Sequence, residues 1–235
     1  NAYKLMLKNP MILRGYLNTI IIVVTSVVCS LFFTSLGAYF LSRKDVYWQK
    51  YAMKLIIFTM FFSGGLIPSY LLIAKTLHLN NSYIALILPA LINTYNLIIM
   101  RTSFASIPDS LEESAKLDGA GHYTILFKIV LPLSLPVIAV MVLYYAVAQW
   151  NSWFNASIYI KSREKFPLQL ILREILINND TSMMTAGSGD ASEQMSIGET
   201  VKYAVVVTAT LPILCVYPFL QKYFVKGVMV GAVKG

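Results

Sequence analysis

The chain predicts an all-α, polytopic transmembrane fold. Three observations point there. Across 235 residues, 57% are apolar and only 13% charged, with a mean hydropathy of +0.65, whereas soluble domains carry about a quarter charged residues. Five runs free of Asp, Glu, Lys and Arg reach, or come close to, the roughly 20 residues that cross a hydrocarbon core as a helix. Between the third and fourth of them lies the one charged, glycine-punctuated segment that separates long apolar runs, Arg101 to Lys128.

Taken in order, the runs cover residues 18–41, 55–74, 82–100, 133–154 and 203–221. The third is the shortest, but Arg101 bounds it on one side and the turn-like His78-Leu79-Asn80-Asn81 on the other. Breakers recur inside the spans: Gly64, Gly65 and Pro68, then Pro89, Pro136, Pro212 and Pro218. Proline frees a carbonyl and kinks a membrane helix, so bends are expected at these places.

The net charge of +8 does not mark a nucleic-acid binder, because the basic residues are scattered between apolar runs and form no face or stripe. Juxtamembrane placement accounts for them better. Lys4, Lys8 and Arg14 interrupt the first residues, so no apolar core of a signal peptide is expected in this stretch. Cys29 and Cys215 each sit in an apolar run and are expected to be buried packing residues.

Within residues 101–128, Ser106-Ile107-Pro108-Asp109 reads as a helix start with a capping Ser and Asp and a proline in the first turn, and Gly119 and Gly121 read as a stop. From His122 the apolar residues Tyr123, Leu126, Phe127 and Val130 resume helical spacing, so two short helices joined at the glycines are expected. On the first, Leu111 and Ala115 share a face with Ser114 beside them, and small side chains there would let a partner approach the backbone.

Glu113-Ser114-Ala115-Lys116-Leu117-Asp118-Gly119, followed by Ile129-Val130-Leu131-Pro132, resembles the EAA signature of membrane subunits of binding-protein-dependent ABC importers, most closely carbohydrate permeases of the maltose type. The match departs at Ser114, where alanine is usual. The C-terminal Tyr223-to-Gly235 sequence and Trp150-Asn151 resemble the same permeases.

The resemblance implies a single type I importer transmembrane domain over residues 1–235 in a bacterial cytoplasmic membrane, with a sixth spanning helix expected before Asn1. It implies a cytoplasmic coupling loop at residues 101–130, whose ATPase-coupling residues would be Leu111, Glu113, Ser114, Ala115, Asp118 and Gly119, and an outer loop at residues 155–202. The Lys/Arg distribution does not decide this orientation, since ten of the 19 basic residues fall on one side and nine on the other. The implied partners are a second related permease, two ATPase subunits, an extracytoplasmic solute-binding protein and membrane lipid.

The first half of the outer loop has Pro167 as a helix start and an amphipathic pattern at Leu168, Ile171, Leu172, Ile175 and Leu176; its second half, from Asn178, is polar. Lys161, Arg163, Lys165 and Arg173 near its mouth would suit an acidic saccharide, acidic residues of a binding protein, or lipid headgroups.

No P-loop pattern Gly-x-x-x-x-Gly-Lys-Ser/Thr occurs, so the chain is expected to bind no cofactor and to leave ATP and Mg to its partner ATPase. No zincin, nucleophile-elbow or paired-cysteine pattern occurs, and His78 and His122 are isolated, so neither a metal site nor a catalytic residue is expected. The spans hold no ionisable side chain, which argues against an ion-coupled secondary transporter; an ABC permease for an amino acid or peptide is the other alternative.

What the spans do hold is neutral polar and aromatic groups: Asn93, Asn96, Gln149, Trp150 and Asn151 are the candidate substrate path. Such groups pair with sugar hydroxyls and stack on ring faces. For Trp150 and Trp153 an interfacial belt, and for the asparagines helix-to-helix hydrogen bonds, remain open alternatives.

Overall fold

The computed structural model describes residues 10–62, 64–178, 203–204, 206–215 and 218, and among them regular structure is entirely helical. The first helix, α1 (Pro10–Ser42), runs 33 residues, or about 50 Å at 1.5 Å per residue, and so outreaches a hydrocarbon core of about 30 Å. The chain is already helical at Pro10, ahead of the expected Asn18.

Among the described residues, α1 alone is long and apolar enough to cross a membrane by length and composition. Three broken pairs pass the same test when joined: α2 (Gln49–Phe61) with α3 (Leu66–Thr76), α4 (Ile84–Ala90) with α5 (Thr94–Ala105), and α7 (His122–Leu133) with α8 (Leu135–Trp150). Between α5 and α7 lies α6 (Asp109–Leu117), and after α8 come α9 (Phe154–Tyr159), α10 (Leu168–Asn178) and α11 (Val206–Cys215).

The expected spans at 55–74 and 82–100 are therefore interrupted, at the Gly64-Gly65 break and beside Pro89. α7 and α8 turn by 86° at Ser134, just ahead of Pro136, which falls in the first turn of α8 where its missing N–H costs nothing. In α7, Pro132 cannot take the carbonyl four residues back, and the preceding Leu126–Val130 turn widens to π geometry. Residues 179–202, most of 216–235 and residues 1–9 lie outside the described residues, so the polar half of the outer loop, the end of the fifth run and the C-terminal match are not placed.

The chain divides into two compact units. One takes the described residues within Asn1–Thr25, Tyr70–Leu88 and Val147–Phe219. Its core joins Ile12 of α1 with Trp150, Leu168, Ile171, Leu172 and Ile175. α10 buries its apolar stripe as expected, except that Leu176 is 40% exposed. At the start of α10 the Leu168 N–H donates to Thr19 Oγ1 at 2.8 Å, and just ahead of it Asn18 Nδ2 donates to the carbonyls of Glu164 and Phe166 at 2.8 and 3.0 Å, which ties this turn to α1.

The other unit takes the described residues within Ser26–Ser69, Pro89–Ala146 and Leu220–Gly235. Its core gathers Ala38 and Leu41 of α1, Met100 and Phe104 of α5, Ala115 of α6, Ile125, Leu126 and Val130 of α7, and Met141 and Tyr145 of α8. Small polar residues of α1 are turned inward, with Ser30 and Thr34 fully buried, while Val28 is 62% exposed. This inverts the soluble pattern and suits a helix whose solvent is lipid. The cysteines depart from expectation: Cys29 is half-buried and Cys215 exposed.

Candidate functional site

α6 forms without the expected hydroxyl cap. The Ser106 hydroxyl turns back to donate to the Ser103 carbonyl at 2.7 Å, finishing α5, and Pro108 stands as the capping residue with no side-chain bond. Asp109 and Glu112 in the first turn supply negative charge to the positive helix end instead. The Lys44 ammonium, 2.7 Å from Asp109, holds that exposed carboxyl below the ordinary carboxylate range.

The other end is a complete Schellman closure. Gly119 N–H donates to the Lys116 carbonyl at 3.0 Å and Ala120 N–H to the Ala115 carbonyl at 2.9 Å, with Gly119 at φ +81°. A Cβ at Gly119 would meet nothing within 4 Å, so what demands glycine within the chain is the backbone and not space.

The inner face of α6 is Glu112 and Ala115, both 8% exposed. Ala115 packs within the chain's own core, so its small size serves internal contact and not the approach of a partner. Leu111, Glu113, Ser114, Asp118 and Gly119 stay exposed, and Leu117 is 90% exposed.

Glu112 went unmarked in the sequence beside Glu113. It forms a buried ion pair with Arg43 and accepts from Lys116 one turn on at 3.2 Å and from the Tyr39 hydroxyl at 3.4 Å. Arg43 also donates to Ser42 Oγ at 3.0 Å and to the Phe104 carbonyl at 3.2 Å, and its guanidinium lies 4.9 Å from the Tyr39 ring centre. The Tyr39 hydroxyl is 3.3 Å from His122 Nδ1, so the buried pair sits in a connected polar cluster.

The candidate path residues divide. Asn93 sits before α5 as its N-cap, accepting from the Asn96 N–H at 3.1 Å, so the two do not share a helical face as expected. Asn96 is 6% exposed. Gln149 and Trp150 are buried at 8%. The Trp150 indole N–H donates to the Ala209 carbonyl at 3.1 Å and its ring tilts against Tyr16, which makes it a core residue and not part of an interfacial belt. Asn151 is exposed.

The basic residues near the outer loop are largely engaged. Arg163 pairs with Glu174 at 3.3 Å, Lys165 donates to the Asn81 carbonyl at 2.9 Å, and Arg173 lies 3.6 Å from the Trp153 ring centre.

Apolar helices long enough, alone or as bent pairs, to cross a membrane, with a short glycine-ended helix between them, are the make-up of a polytopic membrane subunit. The chain belongs to the binding-protein-dependent transport system inner membrane component family, whose model matches residues 10–230. It is 46% identical over 240 residues to the polygalacturonan/rhamnogalacturonan transport system permease protein YtcP of Bacillus subtilis, covering 100% of this chain and 82% of that one. It is 47% identical to protein LplC of the same organism, covering 100% and 79%.

Among solved structures it matches a bacterial ABC transporter involved in the import of the acidic polysaccharide alginate, with a TM-score of 0.84, 33% identity, and coverage of 95% and 79%. The chain is thus an ABC-importer permease of the cytoplasmic membrane, and in such a system ATP is hydrolysed by a partner ATPase.

Proposed function

We propose that this chain is the permease subunit through which an ATP-driven importer carries a sugar or oligosaccharide inward by alternating access. The observation that carries the reading is similarity over the whole chain to a permease named for polygalacturonan and rhamnogalacturonan transport, joined by the alginate importer. In this reading residues 1–235 form one transmembrane domain, residues 101–130 lie on the cytoplasmic side, and residues 155–202 face the solute-binding protein. A second related permease and two ATPase subunits complete the complex.

α6 is then the coupling element. Leu111, Glu113, Ser114, Asp118 and Gly119 present its exposed side to the ATPase, while Ala115 secures it from within. A short helix closed at its glycine end transmits displacement better than a flexible linker, and a groove on a partner is the usual seat for such a helix. Of the expected path residues, Asn93, Asn96, Gln149 and Asn151 are the ones proposed to meet solute, Asn93 and Asn151 being exposed, while Trp150 packs in the core.

The test is transport into vesicles holding the permease pair, with the ATPase and binding protein supplied. Uptake of neutral or acidic oligosaccharides that requires ATP supports the reading. Uptake of an amino acid or peptide in their place, or accumulation driven by a proton or sodium gradient without the ATPase, contradicts it.

A further inference from the structure

We propose that Arg43 is the positioning residue through which a displacement of α6 reaches α1 and α5. This rests on the coupling role assigned above to α6. Arg43 follows Ser42, the last residue of α1, so no slack separates it from that helix. Its side chain is 9% exposed, and its three nitrogens go to three different structural elements: Nη1 to the Glu112 carboxylate of α6, Nη2 to the Phe104 carbonyl near the end of α5, and Nε to Ser42 Oγ at the end of α1.

Guanidinium is suited to this because its fork of donors is planar and fixed, and it closes carbonyls left open at helix ends. Tyr39 continues the cluster to α7 through His122.

The other polar ties from α6 to the segment after α1 are of a different kind. Lys44–Asp109 has side chains 81% and 59% exposed, and Lys116–Asp45 has 42% and 58%. Pairs in water hold loosely and yield under load, whereas removing one partner of a buried pair strands a charge. Ala115 adds packing but a single methyl gives no direction. The Arg43–Glu112 pair is therefore the stiff polar link from the exposed coupling helix to the spanning helices.

The test uses the whole complex in vesicles and reads solute moved per ATP hydrolysed, a ratio that does not depend on how much complex assembles. Arg43→Gln and Glu112→Gln are compared with Arg43→Lys, which keeps the charge, and with the double variant Arg43→Met/Glu112→Met, which keeps the volume and removes both charges so that no charge is stranded. The expected result is a fall of about tenfold or more in the ratio for both Gln variants and for the Met pair, with ATP hydrolysis retained, and recovery to within about threefold in Arg43→Lys.

A parent-like ratio in Arg43→Gln or the Met pair overturns the proposal. So does reduced membrane abundance or ATPase association with the ratio unchanged, since that makes the pair a packing element only. Failure of the parent complex itself to move solute with ATP overturns the coupling reading instead, which keeps the two failures apart.

Discussion

The hydroxyls of Thr34 and Tyr145 lie 2.7 Å apart, fully enclosed between α1 and α8, and the Tyr145 oxygen also accepts the Asn93 N–H at 3.4 Å. One phenol thus satisfies a threonine in mid-span and a backbone donor at the break before α5. Tyr145→Phe removes both bonds at almost constant volume and is expected to cost about 0.5–1 kcal/mol, the scale of hydrogen bonds inside membrane proteins. A lowered melting point of the purified protein checks this; a melting point equal to the parent's in both Tyr145→Phe and Thr34→Val contradicts it.

Gly15 lets α1 come close to α10. A Cβ there would lie 2.7 Å from Ile171 Cδ1 and 3.3 Å from the Leu168 backbone, so the Ile171 end must swing away and the helices must part slightly. Gly15→Val should cost about 1–3 kcal/mol through overpacking, and Gly15→Ala less. Thermal unfolding of both variants reads the order; equal stability of Gly15→Val and parent removes the claimed contact.

Asn151 and Asn96 separate by accessibility. Asn151→Cys should react with a water-soluble thiol reagent well before Asn96→Cys, whose site is 6% exposed. If Asn96 belongs to the solute path, its rate should rise or fall when ATP is trapped in the complex. Inertness in both states places it in helix packing, and a faster rate at 96 than at 151 in the resting protein contradicts the geometry.

The exposed Lys44–Asp109 pair should matter far less than its buried neighbour. The Asp109 carboxyl is depressed by Lys44, so whatever stability it adds is present above the ordinary carboxylate range and is lost as pH falls through the depressed value. The small melting-point difference between parent and Lys44→Ala should accordingly be constant near neutral pH and close in acid. A difference that grows on acidification reverses the sign and rejects the assignment.

Much of this was legible in the residues. The uninterrupted run before Leu41 and the glycine stop at 119 follow from hydropathy and backbone freedom, and each has its counterpart in α1 and the closure of α6, whereas Ala115, read as a place for a partner to approach, packs inside the chain. The helix breaks were harder, because a wholly apolar run has no polar face to show where one helix stops. Asn93 could have been read as a cap, being an Asn placed directly before a helix that resumes after Pro89. Glu112 could not: the sequence shows two adjacent acids, and only the fold brings Arg43 from the end of α1 to one of them.

The account turns on α6 as the coupling element, and Gly119 tests it most directly. At φ +81° a β-branched residue is strained by on the order of 1 kcal/mol or more, which a membrane domain of this size should survive, and its side chain would project into space open within this chain. The measurement is ATP-driven solute uptake by Gly119→Val, with membrane abundance and ATPase co-purification followed alongside. The account predicts normal insertion with uptake abolished and ATPase association weakened; normal insertion with the ATPase retained and uptake at the parent rate would contradict it.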